Sequence, residues 1–257
     1  MTAIIGQDRF TPSPIFGALV AATAVVGALL WRGSDLGGLG VFVFVLLGWT
    51  LSLTLHEFGH AIVAYFAGDR SVADKGYLTL DVRKYVDPGT SLVFPLIILV
   101  IGGIGLPGGA VWIQMGRIRS AAMRSAVSAA GPAASGLCAI LCLVPLRMGL
   151  FDSADRLFLV AMGFLGAIQV IALLLNLIPI PGLDGFGIIE PHLSPEMRAQ
   201  VRPLRQYGFM ILIAALWFVE PVSDAFWGAT EALTDLLGGD GSGLLRSLGW
   251  REFRFWE

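Results

Sequence analysis

The stretch Leu53–Ala61, LTLHEFGHA, sets two histidines and a glutamate inside an otherwise apolar run. On a helix, His56 and His60 stand one turn apart on one face, with Cβ atoms ~5–6 Å apart. Two imidazoles so placed converge on a single zinc ion, each at ~2.0–2.1 Å. Glu57, beside the first histidine, then serves as general base toward a zinc-bound water, the division of labour of the H-E-x-x-H pattern. An ionisable side chain at the centre of an apolar span costs at least ~2.5–3.5 kcal/mol on insertion scales. Three together call for one shared purpose. A chance polar cluster is the competing account.

Two histidines do not complete a site. His192, in the polar stretch EPHLSPEMR, reads as a surface histidine. Asp184, in NLIPIPGLDGFG, is the better third ligand, because it directly follows a long apolar run. Pro179 and Pro181 end the helix there, and Gly182 and Gly185 flank the aspartate with flexible backbone. That geometry turns a carboxylate back toward the membrane. Two histidines and a carboxylate, with a fourth position open, make up a catalytic zinc site. A turn-forming aspartate is the alternative on this stretch alone.

These groups must be positioned by membrane helices. The 257 residues are 56% hydrophobic and 14% charged, with a mean hydropathy of +0.77. Soluble domains carry about a quarter charged residues. Five segments are long and apolar enough to span a bilayer: Pro14–Trp31, Leu39–Phe66, Ala126–Leu146, Leu157–Pro179 and Tyr207–Val222. A sixth apolar run, 91–113, is interrupted by Pro95, Pro107 and glycines. The expected fold is an all-α polytopic membrane protein with about five to six transmembrane helices. Residues 1–38 supply a first span and connector, 39–187 the core, and 188–257 a last span and tail. A net charge of -2 offers no basic field for nucleic acid. Cys138 and Cys142, four apart on one span, read as small apolar packing residues.

Topology constrains the connections. For His60 and Asp184 to meet, the complete crossings between them must be even in number. Ala126–Leu146 and Leu157–Pro179 supply two, so 91–113 is expected to form a re-entrant hairpin or two half-spans. With a cytoplasmic N-terminus, most of the 17 Lys and Arg residues then lie on the cytoplasmic side, as the positive-inside rule asks. The active site falls near that face. Tyr77–Val82 alternates like a short strand, and such an edge would hold an unwound substrate by β-addition; a disordered connector is the equal alternative.

HEFGH at 56–60, AAGPAAS at 129–135 and NLIPIPGLDG at 176–185 together resemble the site-2 protease family of intramembrane zinc metalloproteases. GYLTLDVRKYVDPGTSLVFPL (76–96) is similar to the bacterial subgroup with a D-P-x-G-T segment. The resemblance covers about residues 39–187. It implies a zinc endopeptidase with one zinc per chain held by His56, His60 and Asp184, Glu57 as base, and Asn176 toward the substrate or oxyanion. It further implies single-span membrane protein substrates and a place in the bacterial cytoplasmic membrane. The sequence departs from the family pattern at Ser135, where Asn is common, and at Gly182, where Pro is common. A non-catalytic membrane protein that holds a partner without cutting it is the alternative function. A metal transporter ranks last, since the other spans are nearly free of charge.

Overall fold

Hydrocarbon offers the backbone no hydrogen-bond partners, so apolar segments satisfy themselves as helices. The computed structural model describes residues 10–85, 111–239 and 241–256, apart from the Phe209 side chain. Four helices among them are long and apolar enough to cross a membrane: α1 (Pro14–Trp31), α2 (Gly37–Ala67), α3 (Ala121–Arg147) and α4 (Arg156–Leu177). Each coincides with an expected span. Local chemistry fixes their ends. The side chains of Ser13, Ser120 and Asp155 cap α1, α3 and α4 by accepting backbone N–H groups of Phe16, Met123 and Leu157, which satisfies donors no helix can pair internally. Gly68 stops α2 at φ 132°, where a Cβ would collide with the Arg117 carbonyl.

α2, α3 and α4 form the core, and α4 is its centre, with 72% of its span buried against 11% for α1. Small residues let the helices approach. Gly59 of α2 faces the Ala130 backbone of α3, Gly48 faces Leu165 of α4, and Gly166 of α4 faces Leu143 of α3. These contacts set α2 and α4 parallel, with α3 antiparallel between them. The C-terminal ends of α2 and α4 therefore share one side of the bundle.

The expected span Tyr207–Val222 is corrected. It is broken at Val219 into α6 (Gly208–Phe218) and α7 (Glu220–Gly238), which meet at 96°. α5 is the short helix Asp184–Ile189. Pro221 has no N–H to continue the helix, and Glu220 interrupts the apolar run at the same point. Spans among the described residues thus number four, or five if the bent pair counts as one. The tail forms α8 (Ser242–Phe253). It packs on the far end of the core, with Gly249 against Phe164, Glu252 against Arg156 and Phe253 wholly buried.

The strand-like reading of Tyr77–Val82 is corrected as well. That connector is a series of turns leading into a short helix, Val82–Tyr85. Gly76 and Leu80 lie at positive φ, which reverses the chain, and the Tyr77 N–H is bonded locally to the Val72 carbonyl. The expected re-entrant hairpin falls almost wholly on residues 86–110, outside the described residues. Its downstream flank sits at the C-terminal end of α2, which carries His56 and His60: the Arg119 N–H donates to the Ala67 carbonyl at 3.3 Å.

Candidate metal centre

The i, i+4 spacing on α2 brings the His56 and His60 rings together, with Nε2 atoms 3.2 Å apart. Both residues are buried. α4 ends at Leu177 because Ile178, which precedes Pro179, takes an extended conformation, as the proline ring demands of its predecessor. The chain then turns through Pro181 and Gly182, and α5 begins at Asp184. Asp184 Oδ2 lies 3.2 Å from His56 Nε2 and 3.4 Å from His60 Nε2. The three expected ligands are thus brought to one point. They are the group of His, Cys, Asp and Glu among the described residues whose ligand atoms suit a metal ion.

The donor set fits a tetrahedral ion. Bonds of ~2.0–2.2 Å place neighbouring ligand atoms ~3.3–3.5 Å apart, close to the separations seen here. The tautomer fits too. His60 Nδ1 lies 2.7 Å from the Val127 carbonyl; a carbonyl only accepts, so Nδ1 carries the proton and Nε2 offers its lone pair. His56 Nδ1 lies 3.0 Å from Ser135 Oγ, which orients that ring in the same sense. Burial alone would raise the Asp184 carboxyl, but in the metal-free site the imidazoles, when protonated and donating from Nε2, hold it down to about 2. It is a carboxylate at neutral pH.

Glu57 is buried at 3% exposure, and its Oε2 accepts the Val111 N–H at 3.1 Å. It is not among the ligand atoms, yet it lines the same cavity of about 300 Å³ with His56, His60, Asn176 and Asp184. Asn176 donates one amide hydrogen to the Ala172 carbonyl, and its second is left for the cavity. His192 is exposed, 3.1 Å from Ser125 Oγ, and takes no part. Cys138 and Cys142 are free thiols on α3.

Sequence reasoning missed three contributions. AAGPAAS carries no metal-binding side chain of its own, but Ser135 of that stretch and Val127 just before it hold the two histidines. Gly131 lies directly beneath them, and a Cβ there would sit 2.6 Å from His56 Nε2 and closer still to His60 Nε2. The third is Asp69, which is wholly buried. It accepts hydrogen bonds from Ser71 Oγ (2.6 Å), Ser71 N–H (3.1 Å) and Gln114 N–H (2.7 Å). Lys75 Nζ donates to the Trp112 carbonyl at 2.5 Å. These ties pin 111–114 over the cavity, where Val111 meets Glu57.

Burial would raise the Asp69 carboxyl, but the bonds from Ser71 and Gln114, with Lys75 nearby, hold it below its ordinary 3.8. A depressed carboxyl stabilises the fold above its unfolded-state pKa and loses that contribution as pH falls through the folded value. Asp69→Asn is therefore expected to cost ~1–3 kcal/mol at neutral pH, the usual range for a buried polar group left mismatched. The difference from wild type should shrink below about pH 4. Thermal unfolding in detergent at several pH values checks this, and a pH-independent difference would rule the carboxylate out as its source.

No family model matches the chain, and no solved structure matches it. Curated relatives do. The chain is 45% identical to "Putative zinc metalloprotease Rip2" of Mycolicibacterium smegmatis, over 98% of this chain and 96% of that protein. It is 43% identical to the protein of the same name from Mycobacterium tuberculosis H37Rv, with the same coverage. It is 28% identical to "Putative zinc metalloprotease YwhC" of Bacillus subtilis, over 77% of this chain and 90% of that protein. Near-complete alignment at such identity, on a polytopic helical chain that gathers HEFGH and Asp184 at one point, is decisive: the chain belongs to the site-2 protease family of zinc metalloproteases.

Proposed function

We propose that this protein is an intramembrane zinc endopeptidase that hydrolyses peptide bonds of single-span membrane proteins near the cytoplasmic face of a bacterial cytoplasmic membrane. The observation that carries this reading is the convergence of His56 Nε2, His60 Nε2 and Asp184 Oδ2 beside Glu57. They share one cavity at the end of two parallel spans. The spacing of these donors and the Gly131 cradle suit zinc, and the names of the relatives point to the same metal.

His56, His60 and Asp184 would hold the ion. When bound, zinc polarises a scissile carbonyl and acidifies water. The protein's own groups do the rest. Glu57 accepts a proton from the attacking water as its oxygen bonds to the carbonyl carbon. It then delivers that proton to the amide nitrogen as the C–N bond breaks, so that one water is consumed and one acid and one amine are released. Val111 N–H holds the Glu57 carboxylate in place, and the remaining Asn176 N–H is available to the carbonyl oxygen or the substrate backbone.

The test is the zinc content of detergent-purified protein, wild type beside Asp184→Ala, together with cleavage of a single-span membrane substrate. Wild type is expected to hold one zinc per chain. The variant is expected to bind zinc at least ~100-fold more weakly, because a three-ligand site becomes a two-ligand one. Equal zinc affinity in the two proteins would remove Asp184 from the site.

A further inference from the structure

A second cavity of about 350 Å³ opens beside the catalytic one. The two share Met115, Ser128, Gly182, Leu183 and Asp184 in their walls, so they adjoin one another at Asp184. The far wall of the second is basic: Arg124 from the first turn of α3, Arg198 from the short helix Pro195–Val201, and Arg205 from the turn that follows.

Gly182 explains why this wall is so near. It lies at φ 104°, and a Cβ there would sit 2.8 Å from the Arg205 carbonyl. Proline, common at this place in the family pattern, is fixed near φ -65° and cannot adopt that conformation. Glycine instead lets the 202–207 turn close onto the Pro181–Gly182 backbone. Gly208 does the same from the other side, where any Cβ would overlap the Pro181 carbonyl. The departure at Gly182 thus builds a wall beside Asp184.

The charges do not cancel. Arg205 is paired with Glu190, and Asp184 faces the histidine nitrogens. Among the described residues, the side-chain hydrogen bonds of Arg124 and Arg198 go to backbone carbonyls, of Ile118 at 3.5 Å and Leu193 at 3.1 Å, and the exposed Glu196 acts on Arg198 through space without forming an ion pair. A guanidinium carries five N–H donors and favours carboxylates. Both residues are half-buried, so water screens them incompletely. The polypeptide being cut has to lie over His56, His60 and Asp184, and Asp184 also lines the annex, so the substrate chain is the occupant whose side chains reach the basic wall.

We propose that the annex receives an acidic side chain of the substrate, so that the protein selects membrane proteins carrying Asp or Glu beside the scissile bond. This rests on the protease reading above and adds the substrate's charge to it.

Two synthetic single-span peptides test it. They are identical except for Glu and Asp, or Gln and Asn, where the chain leaves the bilayer. Binding is followed by fluorescence anisotropy to zinc-loaded Glu57→Gln protein in discs of neutral phosphatidylcholine. The acidic peptide is expected to bind about 10-fold tighter, with the gap narrowing in salt. It should close in a variant that also carries Arg124→Gln and Arg198→Gln. Equal binding to the parent protein, or a gap that survives both arginine changes, overturns the proposal. So does a gap erased by phosphatidylglycerol in the disc, which would make the annex a lipid headgroup site. Protein with Glu57 intact separates the two readings. Cleavage of both peptides without preference overturns the annex assignment alone, whereas a binding preference without cleavage of either overturns the protease reading alone.

Discussion

Replacing Glu57 with Gln is expected to lower peptide hydrolysis by ~10²–10⁴-fold, the usual worth of a general acid–base group, while the protein keeps its zinc. The substitution preserves shape. A glutamine oxygen can still accept the Val111 N–H that Oε2 accepts at 3.1 Å, so the cavity wall and the 111–114 segment stay in place. What is lost is the ability to take a proton from water and pass it to the departing amine. Glu57 contributes no atom to the ligand group, so metal content should not change. Single-turnover cleavage and zinc analysis on the same preparation read both quantities. Undiminished hydrolysis would assign the base elsewhere, and loss of zinc would make Glu57 a ligand.

Gly131→Ala should be as damaging, by a different route. Alanine favours a helix over glycine by ~1 kcal/mol, so α3 itself is not weakened. The added methyl, however, points at the ligands, 2.6 Å from His56 Nε2 and nearer to His60 Nε2. Van der Waals contact between carbon and nitrogen needs more than 3 Å, so one ring must swing away. Its bond to Ser135 or to Val127 would then break. Zinc affinity is expected to fall by at least ~100-fold, with hydrolysis falling in step, since orientation by such outer partners alone is worth ~10–100-fold. Gly136→Ala on the same helix is the control, for its Cβ would meet only Leu173 at 3.5 Å. Zinc titration of both variants decides the matter, and wild-type affinity in Gly131→Ala would mean that the helices yield there.

Much of the site is legible in the sequence because its signals are local. The i, i+4 spacing of His56 and His60 sets them on one face of any helix. The hydrocarbon surround makes three ionisable groups conspicuous and forces the spans to be helical. The prolines after Asn176 end a span, so Asp184 is turned back at its mouth. Elements whose boundaries depend on neighbours are less legible. The run Tyr207–Val222 is continuous in hydropathy, yet it breaks at Val219, where Pro221 and the packing of α6 against α4 and α7 redirect the chain. Tyr77–Val82 alternates like a strand but finds no partner edge among the described residues, and positive φ at Gly76 and Leu80 coils it into turns.

The sequence by itself therefore determined the candidate donors, the proposed base and the helical spans that carry them, because helix periodicity and the cost of charge in lipid act within a few residues of the chain. The tertiary structure alone decided how that chemistry is held: Ser135 and Val127 behind the histidines, Gly131 beneath them, Asp69 tethering the segment that meets Glu57, and Gly182 admitting the Arg205 turn. Each of these depends on the register in which two distant segments cross, and a shift of one residue there would put a different side chain at the contact without changing any local pattern.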